Sequence, residues 1–131
     1  MAKRVLLVED EPELRRAITV RLNAAGFQCE IATNGKEGLE KVEHWHPDLV
    51  IADLLMPEMS GSEMIQRLRA RHDTLHVPVI VLTALPRQAK EERIEDLPSV
   101  RLMHKPFDSA ELLVVVNDML AKDSAGGPSH G

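Results

Sequence analysis

Cysteine and aromatic residues are scarce in this chain. Among its 131 residues the only cysteine is Cys29, so no intramolecular disulfide can form, and no cysteines and histidines have zinc-finger spacing. There are one tryptophan, two phenylalanines and no tyrosine, whereas hydrophobic residues make up 44% of the chain. We therefore expect an aliphatic core, no aromatic platform for stacking bases, and a location in the reducing cytoplasm.

Excess positive charge and long apolar runs are absent as well. Lysine and arginine total 16 against 21 aspartates and glutamates, and the net charge of -5 argues against direct binding of nucleic acid. The N-terminal apolar run, residues 5–8, is too short to span a membrane and is followed at once by the acidic residues 9–11. We expect neither a signal peptide nor a membrane anchor.

Short apolar runs alternate with longer segments of helical period along most of the chain. This alternation is typical of an α/β fold, here a doubly wound five-stranded parallel sheet with five helices. The five runs predict strands at residues 4–8, 27–32, 48–52, 77–82 and 100–103.

The last two helices carry the weaker signals. Charges that could pair at i,i+4, such as Arg87 with Glu91, predict the fourth helix over residues 87–96. Either Asp108 or Ser109 is expected to cap the fifth helix.

A length of 131 residues suits a single domain. We assign it to residues 1–122, within which no internal repeat is recognisable. The polar, glycine-rich residues 123–131 predict a disordered tail or a truncated linker.

Polar side chains stand at the ends of four of the predicted strands. Glu9 and Asp10 follow the first strand, and Asp53 follows the third. Thr83 follows the fourth strand, and His104 and Lys105 follow the fifth. In an open parallel sheet the carboxyl ends of the strands share one edge, and functional groups gather there near the point where the strand order reverses. We therefore expect these side chains to meet in one crevice.

Three carboxylates in one crevice repel one another unless a cation lies among them. Mg²⁺ fits best, because it prefers oxygen ligands, which Asp10 and Asp53 would supply together with a nearby backbone carbonyl. Asp53 would then attack phosphorus, Lys105 would offset charge on the phosphoryl oxygens, and Thr83 would donate a hydrogen bond to one of them. The residues predict a magnesium-dependent site of phosphoryl transfer.

Four motifs in a fixed order resemble the signature of response-regulator receiver domains. The resemblance extends over residues 4–121 and implies the flavodoxin-like, CheY-like sheet order 2-1-3-4-5. The motifs are Val8-Glu9-Asp10-Glu11, the loop from Asp53 to Gly61 with Met56-Pro57 within it, Val81-Leu82-Thr83-Ala84 and Lys105-Pro106-Phe107.

The resemblance implies that Asp53 is the phosphoacceptor of a Mg²⁺-dependent reaction in which Mn²⁺ could substitute. It assigns the metal to Asp10, Asp53 and the Leu55 carbonyl, with Glu9 acting through metal-bound water. Acids near a helix N-terminus are also favoured for electrostatic reasons alone, and for Glu11 we keep that simpler interpretation.

The same resemblance implies the partners and the working cycle. Lys105, held by a cis bond to Pro106, would pair with the phosphoryl group, and Thr83 would follow that group when the switch turns on. The donor would be a sensor histidine kinase or a histidine phosphotransfer protein, and the domain would catalyse only its own phosphorylation and dephosphorylation. Its conformational change would control a downstream protein or output domain, and phosphorylation could promote a dimer.

Three leucines depart from the common pattern of the family. Leu102 stands where receivers usually carry Tyr or Phe as a switch residue, so the aromatic readout is absent. Leu55 and Leu85 occupy the two positions that tune hydrolysis of the acyl phosphate. Because both are apolar, we hypothesise that they obstruct an in-line water and make the phosphorylated state long-lived.

Two other functions compete with the switch. A pseudo-receiver would share the fold and act without phosphorylation, but it predicts a broken acid pocket, whereas Glu9, Asp10, Asp53 and the other site residues are present. A phosphatase of the haloacid-dehalogenase type needs a second aspartate two residues after the nucleophile, where this chain has Leu55.

Overall fold

A computed structural model describes residues 2–56 and 58–126, with side chains described as far as residue 121. Five strands alternate with five helices, and one short 3₁₀ helix, Ile94–Asp96, precedes the last strand. The strands are β1 (Arg4–Val8), β2 (Gln28–Ala32), β3 (Leu49–Asp53), β4 (Val79–Thr83) and β5 (Val100–His104). The helices are α1 (Pro12–Ala24), α2 (Gly35–Trp45), α3 (Gly61–Arg69), α4 (Pro86–Glu91) and α5 (Ser109–Gly126).

All five strands are parallel and lie in the order β2-β1-β3-β4-β5, as the resemblance implied. The order reverses beside β1, because the chain first moves outward to β2 and then returns to β3 on the other side. This reversal opens a crevice at the carboxyl ends of β1 and β3.

Alternate residues of the central strands face opposite sides of the sheet and build two cores. Helices α2, α3 and α4 cover one face, where Leu6, Val8, Val50, Ala52, Val79 and Val81 pack against Val42, Met64, Ile65, Leu68 and Ala89. Helices α1 and α5 cover the other, where Val5, Leu7, Leu49, Ile51, Ile80 and Leu82 pack against Ile18, Leu22, Leu112 and Val116. The continuous apolar runs in the sequence arise from this burial on both faces.

The strand limits differ slightly from those predicted. The fourth begins at Val79 rather than Val77, because the Val77 N–H donates to the Thr74 carbonyl in a turn and Pro78 has no N–H to donate. The second begins after Phe27, whose N–H still donates to Leu22 at the end of α1.

The single helix predicted over residues 87–96 was wrong. Helix α4 ends at Glu91, and Arg93 adopts a left-handed conformation with φ of 55° that interrupts the helical ladder. The following 3₁₀ turn carries Ile94 into the core. Among the ion pairs of residues 2–56 and 58–121, none joins Arg87 to Glu91; Arg93 pairs with Asp96 instead. Charge spacing indicated a helix here, but burial of Ile94 required a break.

The C-terminal helix is longer than predicted. Asp108 caps it, since its carboxylate accepts a hydrogen bond from the Ala110 N–H at 2.8 Å. The helix continues to Gly126, past the domain boundary placed at Lys122, because no helix-breaking residue occurs before the glycines that precede Pro128. The rest of the predicted tail, residues 127–131, lies outside the described residues.

Candidate functional site

The register of the sheet brings the predicted polar residues to one edge. Val8 lies opposite Ala52 and Asp53 opposite Leu82, so Glu9, Asp53 and Thr83 follow one another across three neighbouring strands. The Lys105 N–H donates to the Thr83 carbonyl at 2.7 Å and extends the ladder to the fifth strand. The peptide bond from Lys105 to Pro106 is cis, as the resemblance implied.

Lys105 pairs with both buried carboxylates. Its Nζ lies 2.8 Å from Asp53 Oδ2 and 3.3 Å from Glu9 Oε1. The side chain of Glu9 is completely buried, whereas those of Asp53 and Lys105 are 12% and 18% exposed, so solvent screens these pairs little. The structure thus places three residues predicted from separate strand ends in direct contact.

An acidic cluster surrounds this ion pair. One carboxylate oxygen each from Glu9, Asp10 and Asp53 lies within 4.8 Å of the others, with Asp10 exposed to solvent. Oxygen ligands at this spacing, open on one side, suit a hard divalent cation that keeps several of its waters, as Mg²⁺ does. Because the three carboxylates repel one another, a bound cation would stabilise them, and the cluster therefore fits the Mg²⁺ that the sequence predicted.

Glu9 is the electrostatically unusual member of the cluster. Burial, and next the negative charge of Asp53, raise the pKa of Glu9 from 4.5 to about 7, although the Glu11 N–H and Lys105 favour its charged form. Burial lowers the pKa of Lys105, but the hydrogen bond and charge of Asp53, with the charge of Glu9, outweigh burial and leave that pKa raised. A cation bound among these groups would favour the carboxylate form of Glu9, because positive charge stabilises that form.

Backbone contacts between the end of β3 and the start of α3 fix the position of Asp53. The Gly61 N–H donates to the Leu54 carbonyl at 2.9 Å and brings the start of α3 against the end of β3. A Cβ atom on Gly61 would lie 2.4 Å from the Asp53 carbonyl oxygen, so only glycine permits this approach. The Leu55 N–H lies 3.4 Å from Asp53 Oδ1, a long hydrogen bond on the side away from Lys105.

Thr83 is buried at the end of β4 and contacts the start of α4. Its hydroxyl oxygen accepts a hydrogen bond from the Leu85 N–H at 2.8 Å. Leu85 is the residue that precedes Pro86 at the beginning of α4, so the hydroxyl and the helix start are joined directly. The Thr83 O–H proton is not used in this bond and can be donated elsewhere.

The three leucines that depart from the family pattern lie in different environments. Leu55 and Leu85 are large apolar side chains left 46% and 45% exposed. Leu102 is half-buried, packs against the core under α4, and lines a surface cavity of about 570 Å³ with Ala89 and His104.

Sequence reasoning missed one residue at the site. The Arg15 guanidinium, one turn into α1, donates to the carbonyl oxygens of Glu9 at 3.0 Å and Asp10 at 3.5 Å. No motif singles out this arginine, because its partners are backbone atoms that any residue supplies.

The fold and this crevice define a receiver domain, and comparison with known proteins agrees. The model of the response regulator receiver domain family matches residues 5–117, so the chain belongs to that family. It is a signalling domain of the kind found in two-component response regulators and hybrid kinases. Neither the family match nor the intact crevice favours a pseudo-receiver.

Three relatives illustrate the range of the family. Response regulator Rre1 of Synechocystis sp. is 35% identical over 124 residues, which are 92% of this chain and 53% of that protein. Sensor histidine kinase TmoS of Ectopseudomonas mendocina is 33% identical over 123 residues, which are 94% of this chain and 12% of that protein. The receiver domain of sensor histidine kinase PA1611 from Pseudomonas aeruginosa, described with magnesium in its active site cleft, has a TM-score of 0.83 at 26% identity and covers 92% of this chain and 99% of its own.

The chain therefore spans about half of the length of Rre1 and about an eighth of the length of TmoS. None of the helices in the described part of the chain has the length and apolarity of a membrane span.

Proposed function

We propose that this domain is a phosphorylation switch in which Asp53 accepts a phosphoryl group in a Mg²⁺-dependent reaction. The observation that supports this most is the contact of Lys105 Nζ with Asp53 Oδ2 at 2.8 Å inside a cluster of three carboxylates. A carboxylate that is buried, paired with a lysine and open to a metal on one side is equipped for phosphoryl transfer.

The chemical step uses groups at the crevice. A carboxylate oxygen of Asp53 forms a bond to phosphorus while the bond from phosphorus to the leaving group breaks, and the leaving group keeps that electron pair. Asp10, Asp53, the Leu55 carbonyl and, through water, Glu9 would hold a divalent cation, which would supply positive charge to the phosphoryl oxygens. Lys105 contributes a second positive charge from the opposite side.

Thr83 connects the phosphoryl group with α4. Its O–H is available to donate to a phosphoryl oxygen, and a movement of Thr83 toward that oxygen would stretch its hydrogen bond with the Leu85 N–H. The added charge, about -1.5 to -2 at neutral pH, would shift a pre-existing equilibrium toward a state in which the start of α4 has moved. Leu102, beneath α4, would repack in that state without the usual aromatic side chain.

We infer the partners from the same chemistry. The donor is a sensor histidine kinase or a histidine phosphotransfer protein, and the recipient of the signal is a downstream protein or an attached output domain. Mn²⁺ would substitute for Mg²⁺ because it accepts the same oxygen ligands. The reaction would take place in the cytoplasm, and dimerisation after phosphorylation is a further proposal that follows from the change at α4.

Amide NMR with a phosphoryl mimic tests the switch. Addition of Mg²⁺ and beryllofluoride to the protein should shift the amides of the crevice and, through Thr83, those of Leu85 and α4. The variant Asp53→Asn should show neither set of shifts, whereas Asp73→Asn, at an exposed position, should behave as the native protein does. Absence of shifts in the native protein, or unchanged shifts in Asp53→Asn, would refute the proposed function.

The hydrolysis hypothesis for Leu55 has a separate test. If exposed apolar side chains beside Asp53 hinder an in-line water, Leu55→Asn should shorten the lifetime of the phosphorylated protein by about tenfold, because an amide can position that water. Val114→Asn, a change of an exposed valine on α5, should leave the lifetime unchanged. The measurement is the decay of radiolabelled phosphoprotein, and equal half-lives for Leu55→Asn and the native chain would contradict the hypothesis.

A further inference from the structure

We propose that Arg15 is a positioning residue for the metal site, which acts by holding the backbone of the two adjacent acidic residues. The inference rests on the proposed function, because it concerns the same carboxylates. Arg15 makes no contact with a carboxylate there; its Nη1 donates to the carbonyl oxygens of Glu9 at 3.0 Å and Asp10 at 3.5 Å.

The two residues that Arg15 contacts differ in how strongly other contacts restrain them. Glu9 is tied to the sheet by its own N–H, which donates to the Ala32 carbonyl at 3.0 Å, and the side chain of Glu9 is tied to Glu11 and Lys105. Asp10, by contrast, is exposed, and the bond from Arg15 reaches its backbone directly. Arg15 therefore fixes the peptide plane between Glu9 and Asp10.

The position of Arg15 suits such a clamp. Its backbone N–H donates to the Glu11 carbonyl at 3.0 Å in the first turn of α1, so the side chain starts from a rigid helix and reaches back across the loop. The side chain is half-buried, which limits competition from water for the two carbonyls. Both contacts come from one nitrogen, Nη1, whose two N–H groups can be donated to the two neighbouring carbonyls.

A clamp of this kind matters because Mg²⁺ tolerates little departure from octahedral geometry. Carboxylates on a loop that moves would meet this demand only part of the time, and outer contacts that orient metal ligands commonly change metal affinity by about tenfold or more. The positive charge of Arg15 acts in the opposite direction, since it repels a nearby divalent cation. The two effects thus predict changes of opposite sign when the guanidinium is removed.

The test is the Mg²⁺ dissociation constant, measured by titrating the metal into the isotopically labelled full chain and following amide shifts. Arg15→Met keeps the aliphatic stem and removes the guanidinium, and it should weaken Mg²⁺ binding about tenfold. Arg15→Lys should restore part of the loss. Arg16→Met removes a positive charge from the exposed neighbour in the same turn and should leave affinity unchanged or slightly tighter.

Native or tighter Mg²⁺ binding in Arg15→Met would overturn the proposal, because charge alone would then govern the site. A drop in the unfolding midpoint in EDTA with native Mg²⁺ affinity would overturn it too, since the role would be structural only. Asp10→Asn separates this inference from the proposed function. If Asp10→Asn binds Mg²⁺ as the native protein does, the metal site itself fails; if it loses binding while Arg15→Met retains it, only the role of Arg15 fails.

Discussion

At the scale of single residues, Lys105 is the side chain whose positive charge offsets the buried carboxylates of the crevice. It is the lysine that faces Glu9 and Asp53, and both of its ion pairs are shielded from solvent. The pair between Arg101 and Asp118 on β5 and α5 has a similar distance, 2.7 Å, but its two side chains are 39% and 45% exposed. The chain thus offers a buried and an exposed ion pair for direct comparison.

We expect Lys105→Gln to lower the free energy of unfolding by about 1–3 kcal/mol, because a buried carboxylate loses its charged partner. Arg101→Gln should cost less than about 1 kcal/mol, since water and salt screen an exposed pair. Denaturant unfolding in EDTA at neutral pH measures both values. Equal losses for the two variants would show that burial does not strengthen the pairs of Lys105.

Glu9 gives the protein a pH dependence of defined sign. Its pKa is raised to about 7 in the folded protein from an ordinary 4.5, so the folded state binds the proton more tightly than the unfolded state does. The contribution of Glu9 to stability is therefore full below about pH 4.5 and is lost as the pH rises through about 7. Mg²⁺ binding should strengthen over the same interval, because the metal must displace that proton.

The measurement compares native protein with Glu9→Gln. Between about pH 5.5 and pH 8, the Mg²⁺ affinity of the native protein should rise more steeply than that of the variant. In EDTA, the free energy of unfolding of the native protein should fall over this interval relative to Glu9→Gln. Parallel pH profiles for the two proteins would contradict the raised pKa.

At the scale of secondary structure elements, the approach of α3 to β3 places Asp53. Gly61 lies so close to the Asp53 carbonyl that Gly61→Ala must push the two elements apart. We expect this variant to weaken Mg²⁺ binding and to slow phosphorylation at least tenfold, since small displacements of a catalytic group have large effects. Gly26→Ala, at a turn with open space around it, should lower stability through its positive φ and leave Mg²⁺ affinity unchanged.

Phosphorylation by acetyl phosphate and the Mg²⁺ titration both measure this effect. A Gly61→Ala variant with native Mg²⁺ affinity and native phosphorylation rate would show that the contact between α3 and β3 does not position Asp53.

The elements also show which parts of the fold the sequence determines. Five continuous apolar runs predicted the five parallel strands, because a strand buried on both faces has no polar alternation. The fourth helix was predicted wrongly because charge spacing is a local signal, whereas the break at Arg93 depends on where Ile94 must pack. Tertiary packing decided the outcome there.

Some features of the site could likewise be predicted from the sequence, and others could not. Strand-end residues such as Asp53 and Lys105 could be predicted, because parallel strands share one edge and the register is set by the core. The complete burial of Glu9 and the backbone contacts of Arg15 could not, since both depend on side-chain packing in three dimensions.

At the scale of the whole molecule, the domain gathers acidic groups at one edge of the sheet and connects that edge to α4 through Thr83 and Leu85.

The most direct test of the central proposal is chemical trapping of the phosphorylated residue. After incubation with Mg²⁺ and acetyl phosphate, borohydride reduction converts an aspartyl phosphate to homoserine, and peptide mass spectrometry locates it. We predict homoserine at position 53 alone, with none when EDTA replaces Mg²⁺. Homoserine at position 10, or a phosphorylated protein with no homoserine at position 53, would contradict the assignment of Asp53 as the phosphoacceptor.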